Sequence, residues 1–88
     1  MSRPFSFDWD DRNAEHISRH GYVPDEVEEV FAGAFDLRRT RDGRYVAAGP
    51  TFDGRMTIVV FERYDGYRIR VITAREMTSK ERRRYRRR

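Results

Sequence analysis

The apolar positions change period along the chain. Phe5-Ser6-Phe7-Asp8-Trp9 alternates aromatic and polar residues, which predicts a short strand. Asp10 then suits the cap of a helix from about Asp11 to His20, with Trp9 anchoring its start and Gly21 ending it. Only Ala14 and Ile17 give that helix an apolar stripe. A second helix fits Pro24–Ala32: proline suits the first helical position, and Asp25 and Glu26 suit the positive end of the dipole. Val27, Val30, Phe31 and Ala34 follow i, i+3, i+4, i+7 spacing, a core-facing stripe, and Gly33 is the stop. Glu28 and Glu29 fall outside the stripe and read as a solvated face.

From Phe35 the period becomes two. Asp42-Gly43, Asp53-Gly54 and Asp65-Gly66 each separate segments of strand character, and Asp-Gly is the preferred pair of a two-residue type I′ hairpin. The expectation is a four-stranded antiparallel meander over 35–41, 44–50, 55–64 and 67–75, with Pro50 at a bulge or strand end. Two-residue loops set the register by counting outward: Arg39 opposite Val46, Val46 opposite Phe61, and Phe61 opposite Arg70. One sheet face would then hold Val46, Val59, Phe61 and Ile72 framed by Arg39, Arg41, Arg44, Arg63, Arg68 and Arg70. The other, with Tyr45, Ala47, Met56, Ile58, Val60, Ile69 and Val71, would carry the N-terminal helices. Strict alternation turns Arg75 away from the arginine face unless the chain bends at Ala74–Met77.

Beyond the last strand, Thr78-Ser79-Lys80-Glu81 has capping-box spacing and starts a helix rich in arginine. Charge sharpens this picture. Residues 1–34 hold three arginines against eight acids, net −5; residues 35–77 hold nine arginines against six acids, net +3; residues 78–88 hold seven bases against Glu81, net +6. An acidic front and a basic back suggest a polyanion at one end. Eighteen of the nineteen basic residues are arginine, which favours forked, phosphate-matching contacts. Eighty-eight residues, 38% hydrophobic and 39% charged, allow one domain (1–88) with a thin core and a basic tail, 86–88, that frays.

The chemistry is bounded by what is missing. No cysteine is present, which removes disulfides and thiolates, and no apolar leader or span of about 20 residues is visible, so a soluble cytoplasmic protein is expected. His16 and His20 have helical i, i+4 spacing, but no HExxH pattern accompanies them, so no metal and no cofactor is expected. Arginine chemistry on phosphate is better supported. RNA carries its own nucleophile, the 2′-OH, so cleavage needs a base, cations for the transition state and an acid for the leaving oxygen. His20, Arg70, Arg75 and Tyr85 are residue types suited to those roles. Composition alone leaves a non-catalytic RNA-binding module or a protein-interaction domain, with Val46, Val59, Phe61 and Ile72 as its patch, equally open.

Motif order separates these readings. Phe7-Asp8-Trp9-Asp10, Arg19-His20-Gly21, Val27-Glu28-Glu29-Val30-Phe31, Asp53-Gly54-Arg55 with Val59-Val60-Phe61, Ile69-Arg70-Val71-Ile72-Thr73-Ala74-Arg75, and Glu81-Arg82 with Tyr85 together resemble the BrnT family of type II toxins. The resemblance implies an α+β, RelE-like fold, two N-terminal helices and a C-terminal helix around the meander, with the short N-terminal strand as an optional addition. It implies a metal-independent endoribonuclease that inhibits translation, neutralised by a BrnA-like antitoxin whose DNA-binding part takes the complex to operator DNA. The expected catalytic residues are His20, Arg70, Arg75 and Tyr85; Arg19, Arg63, Arg68, Arg82 and Arg83 are expected to align the RNA. The chain departs from the family pattern at Arg12, His16, Arg19, Val23 and Thr73, and in its terminal arginines; none of these removes a candidate group.

Overall fold

The structure, a computed structural model, describes residues 5–87. In chain order it comprises β1 (Ser6–Phe7), α1 (Asp11–Ser18), α2 (Pro24–Ala32), β2 (Asp36–Arg39), β3 (Tyr45–Pro50), β4 (Met56–Arg63), β5 (Arg68–Glu76) and α3 (Ser79–Arg86). The strands form one sheet in the order β1-β5-β4-β3-β2. The expected four-stranded meander is therefore the larger part of a five-stranded mixed sheet. β1 adds an edge strand parallel to β5, pairing Ser6 with Arg68 and Phe7 with Ile69.

The helices follow their local signals. Asp10 caps α1, accepting from the amides of Arg12 and Asn13, while the Asn13 side chain accepts from the Asp10 amide. α1 ends at Ser18, so Arg19 and His20 stand in the turn leading to Gly21, whose φ is +79°. α2 has Pro24 at its start, and Glu26 reaches back to the Val23 amide in place of a side-chain cap from Val23. Thr78 and Glu81 make the reciprocal capping box that starts α3.

All three expected hairpins form, but their loops have three residues rather than two. Thr40 pairs with Arg44 and Thr51 with Arg55, and each threonine carbonyl accepts from the amide of Gly43 or Gly54. Those glycines have φ of +85° and +88°, the left-handed residue that closes a type I turn into a bulged hairpin. Thr40 and Thr51 fix the longer loop: each hydroxyl donates to Asp42 or Asp53 and accepts from the amide of Arg44 or Arg55. The repeated Thr-x-Asp-Gly-Arg segment is thus one device used twice. Tyr64 likewise pairs with Arg68 across a three-residue loop.

One extra residue per loop shifts each register by one and turns alternate strands over. Arg38, not Arg39, lies opposite Val46; Val60 lies opposite Val46; Phe61 lies opposite Tyr45 and Val71. β2 and β4 are inverted relative to the expected faces, while β3 and the first half of β5 are as expected. Val59 and Phe61, expected beside the arginines, are instead buried under α1 and α2 with Ile17, Tyr22, Val27, Val30, Phe31, Ala47, Ile69, Val71 and Ala74. The apolar interaction patch built on Val59 and Phe61 therefore does not exist at the surface. Phe31 is central, with Phe5, Phe7, Phe35 and Phe61 all within 5.3 Å between ring centroids.

Within β5 the register changes again. Phe61 pairs with Val71 but Val60 pairs with Thr73, so Ile72 is an extra residue, a β-bulge. Beyond it the facing of side chains reverses. Ala74 enters the core, and Arg75 pairs with Ile58 on the same face as Arg70, which pairs with Glu62. The bulge, rather than a bend at Ala74–Met77, brings Arg75 to the side occupied by Arg70. α3 packs against that face, opposite the layer of α1 and α2.

Candidate functional site

The face beneath α3 carries Arg38 from β2, Val46 and Ala48 from β3, Ile58, Val60 and Glu62 from β4, and Arg70, Thr73 and Arg75 from β5. Arg68 and Tyr64 extend it toward the β4–β5 turn, with the Arg68 guanidinium 5.6 Å from the Tyr64 ring centre. Between α3 and the sheet lies a groove of about 470 Å³. Val46, Ala48 and Ile58 form its apolar floor, and Arg38, Lys80 and Arg84 give its rim a positive charge beside Asp36 and Glu81.

The crowding of guanidiniums expected on one face is relieved from within the chain. Arg44 lies 3.6 Å from Glu62. Arg70 reaches over the β1 edge to Asp10 at 3.1 Å and Asp8 at 3.6 Å. The Arg70 hydrogen bond, with the helix-cap amides, holds Asp10 below the usual carboxylate range, and Asp10 in turn raises Arg70. Arg75 and Glu81 form two parallel bonds, Nη1 to Oε1 at 2.8 Å and Nη2 to Oε2 at 2.9 Å. This pairing, joined by the Thr78 cap, depresses the Glu81 carboxyl to about 2.

Of the expected catalytic residues, Arg70 and Arg75 share a sheet face with α3, which carries Tyr85. The Tyr85 hydroxyl donates to the Ala34 carbonyl at 2.6 Å, joining α3 to the segment before β2. His20 belongs to the other layer. It is exposed after α1, its ring centre 6.1 Å from that of His16. What ties His20 to the sheet is Arg55, which donates to the carbonyls of His20 (3.0 Å) and Gly21 (2.7 Å), pairs with Glu76 at 3.0 Å and lies 3.7 Å from the Tyr22 ring centre. Since Glu76 follows Arg75, Arg55 holds the His20 turn at the end of the sheet where Arg75 stands.

The expected RNA-aligning residues divide similarly. Arg68 is on the arginine face and Arg82 and Arg83 are exposed on α3. Arg63 pairs with core-facing Ile69 and so leaves from the opposite face, its Nε donating to the Gly66 carbonyl. Arg19 is exposed beside Glu15 at 3.6 Å. Glu28 and Glu29, read as merely solvated, hold Trp9 Nε1 and the Phe52 amide. Among the described residues no three His, Cys, Asp or Glu side chains gather as a metal site, and no helix is long and apolar enough to cross a membrane.

Four contributors escaped sequence reasoning: Asp8 and Asp10 on Arg70, Glu81 on Arg75, and Arg55 behind His20. Asp10 and Glu81 were visible as helix caps and as members of the family-like motifs but not as partners of Arg70 and Arg75, because a cap is a local pattern whereas Asp10 and Arg70 are 60 residues apart. A signal for Arg55 exists in the Thr-x-Asp-Gly-Arg repeat, which fixes its position at the start of β4 but not what it meets.

The fold and this face define a small α+β domain with its arginines concentrated on one sheet face and its C-terminal helix. Within that class the chain belongs to the BrnT family: residues 9–81 match the family model described as ribonuclease toxin, BrnT, of type II toxin-antitoxin system. The match includes His20, Arg70, Arg75 and Glu81 but stops before Arg82, Arg83 and Tyr85. Comparison with curated proteins gives no match.

Proposed function

We propose that this chain is a metal-independent endoribonuclease toxin acting on RNA through Arg70 and Arg75. The observation that carries the reading is the placement of these two arginines on one sheet face, within a chain whose family is one of ribonuclease toxins. Arginine forks bind phosphate oxygens and neutralise the charge that develops there. The RNA 2′-OH, losing its proton to a base, attacks the adjacent phosphorus. The P–O5′ bond breaks, and the leaving oxygen takes a proton from an acid, so a cyclic phosphate and a free 5′-OH result. His20 is proposed as one proton-transfer group and Tyr85 as the other. Arg19, Arg63, Arg68, Arg82 and Arg83 are proposed to align the backbone of the RNA.

Because His20 and Tyr85 stand on different layers, each proton-transfer role calls for RNA to wrap the end of the sheet where Arg55 and Glu76 meet. A BrnA-like antitoxin is the proposed neutralising partner, carrying the complex to operator DNA. The deciding measurement is cleavage of single-stranded RNA by the isolated protein in EDTA. Cleavage that falls about a hundredfold in Arg70→Ala and in Arg75→Ala is expected, the loss typical of removing one transition-state donor. Undiminished cleavage in a His20→Ala/Arg70→Ala/Arg75→Ala triple variant would sink the assignment, and salt-dependent binding without products would make the chain an RNA-binding module.

A further inference from the structure

Arg75 and Glu81 meet across the junction of β5 and α3 with their planar groups fork to fork, at 2.8 and 2.9 Å. Glu81 Oε1 also accepts the Thr78 amide at 2.8 Å, and Arg75 Nη1 also donates to the Glu76 carbonyl at 3.2 Å. A carboxylate held in this way offers the guanidinium two oxygens in the arrangement that the non-bridging oxygens of a phosphodiester would offer. Arg70 differs, because its two nitrogens go to two separate carboxylates at 3.1 and 3.6 Å.

We propose that Glu81 is an internal substitute for an RNA phosphate on Arg75, so that RNA engages Arg75 only by displacing Glu81. This rests on the phosphate-binding role proposed above for Arg75. Two anions cannot share one fork without strong repulsion. The exchange needs no opening of the core, since the Glu81 and Arg75 side chains are already 30% and 42% exposed and water can take over the released carboxylate. Displacement also strips the Thr78 amide of its acceptor and loosens the first turn of α3.

The test is binding of a fluorescently labelled single-stranded RNA, followed by anisotropy over a range of salt. Glu81→Gln keeps a capping-box residue but removes the competing charge. It should bind about fivefold tighter at low salt, the scale of one partly exposed ion pair. Its log–log salt slope should stay at the wild-type value, because the same phosphate meets Arg75 in both and only the competing carboxylate is lost. Thr78→Ala weakens the cap and leaves the fork, so its affinity and slope should match the wild type. Equal or weaker binding by Glu81→Gln, with Arg75→Ala weakened, would make Glu81 a support that aims Arg75 and overturn the substitution idea alone. An equal gain in Thr78→Ala would assign the effect to helix loosening and overturn it as well. If Arg75→Ala changes neither affinity, slope nor cleavage, the phosphate role of Arg75 falls, and this inference with it.

Discussion

Asn13 joins three parts of the chain through one amide group. Its Nδ2 donates to the Asp8 carbonyl at 2.9 Å and the Val71 carbonyl at 3.1 Å, while Oδ1 accepts from the Asp10 amide at 2.8 Å. It is 4% exposed, so truncation would leave buried backbone groups without partners. Asn13→Ala should cost about 2 to 3 kcal/mol in urea denaturation. Glu81 makes a different demand, one that depends on pH. Its folded value, about 2, lies below the ordinary 4.5. Its stabilising contribution is therefore full above 4.5 and disappears as pH falls through 2. Discounted for the exposure of Arg75, it amounts to about 1 to 2 kcal/mol. The stability difference between wild type and Glu81→Gln, measured by denaturation at successive pH values, should shrink over that window.

At the scale of elements, the hairpins decide the faces. A Cβ at Gly43 or Gly54 would meet nothing within 4 Å, so alanine there costs only the left-handed backbone, about 1 kcal/mol each. The two turns stand at opposite ends of β3, so the costs of Gly43→Ala and Gly54→Ala should add in a double variant, as thermal or urea unfolding would report. The helix boundaries were legible because caps, proline and glycine act within a turn of where they stand: α2 spans Pro24–Ala32 as its pattern indicates, and Thr78 opens α3. The registers were not, because Asp-Gly marks a turn without stating its length. In the first two hairpins the length is set two residues upstream of the aspartate, by Thr40 and Thr51. Similarly, the pairing of Arg70 and Arg75 on one face could not be counted from the chain, because no residue type announces a bulge at Ile72.

For the whole molecule, folding rearranges the charge seen along the chain. The acidic front is drawn onto arginines of the sheet, through Asp8 and Asp10 on Arg70 and Glu26 at 3.9 Å from Arg55. What extends outward is α3 with its C-cap Arg87, where Lys80, Arg82, Arg83, Arg84, Arg86 and Arg87 are all exposed. The residue types of the candidate site were legible in the sequence, and so was the presence of a basic helix. Their division between two layers was not, since it follows from contacts between distant segments.

The bulge in β5 gives the protein a spare residue. Removing Ile72 would leave Val71 facing the core, Thr73 outward, Ala74 inward and Arg75 outward, the facings they already have. A one-residue deletion there should fold with its arginine face preserved, whereas deletion of Val60 in β4 would reverse everything beyond it and should fail to give a cooperative unfolding transition. Strand length at this one place is therefore a free variable, along which the spacing between Arg70 and Arg75 can be retuned without rewriting the core.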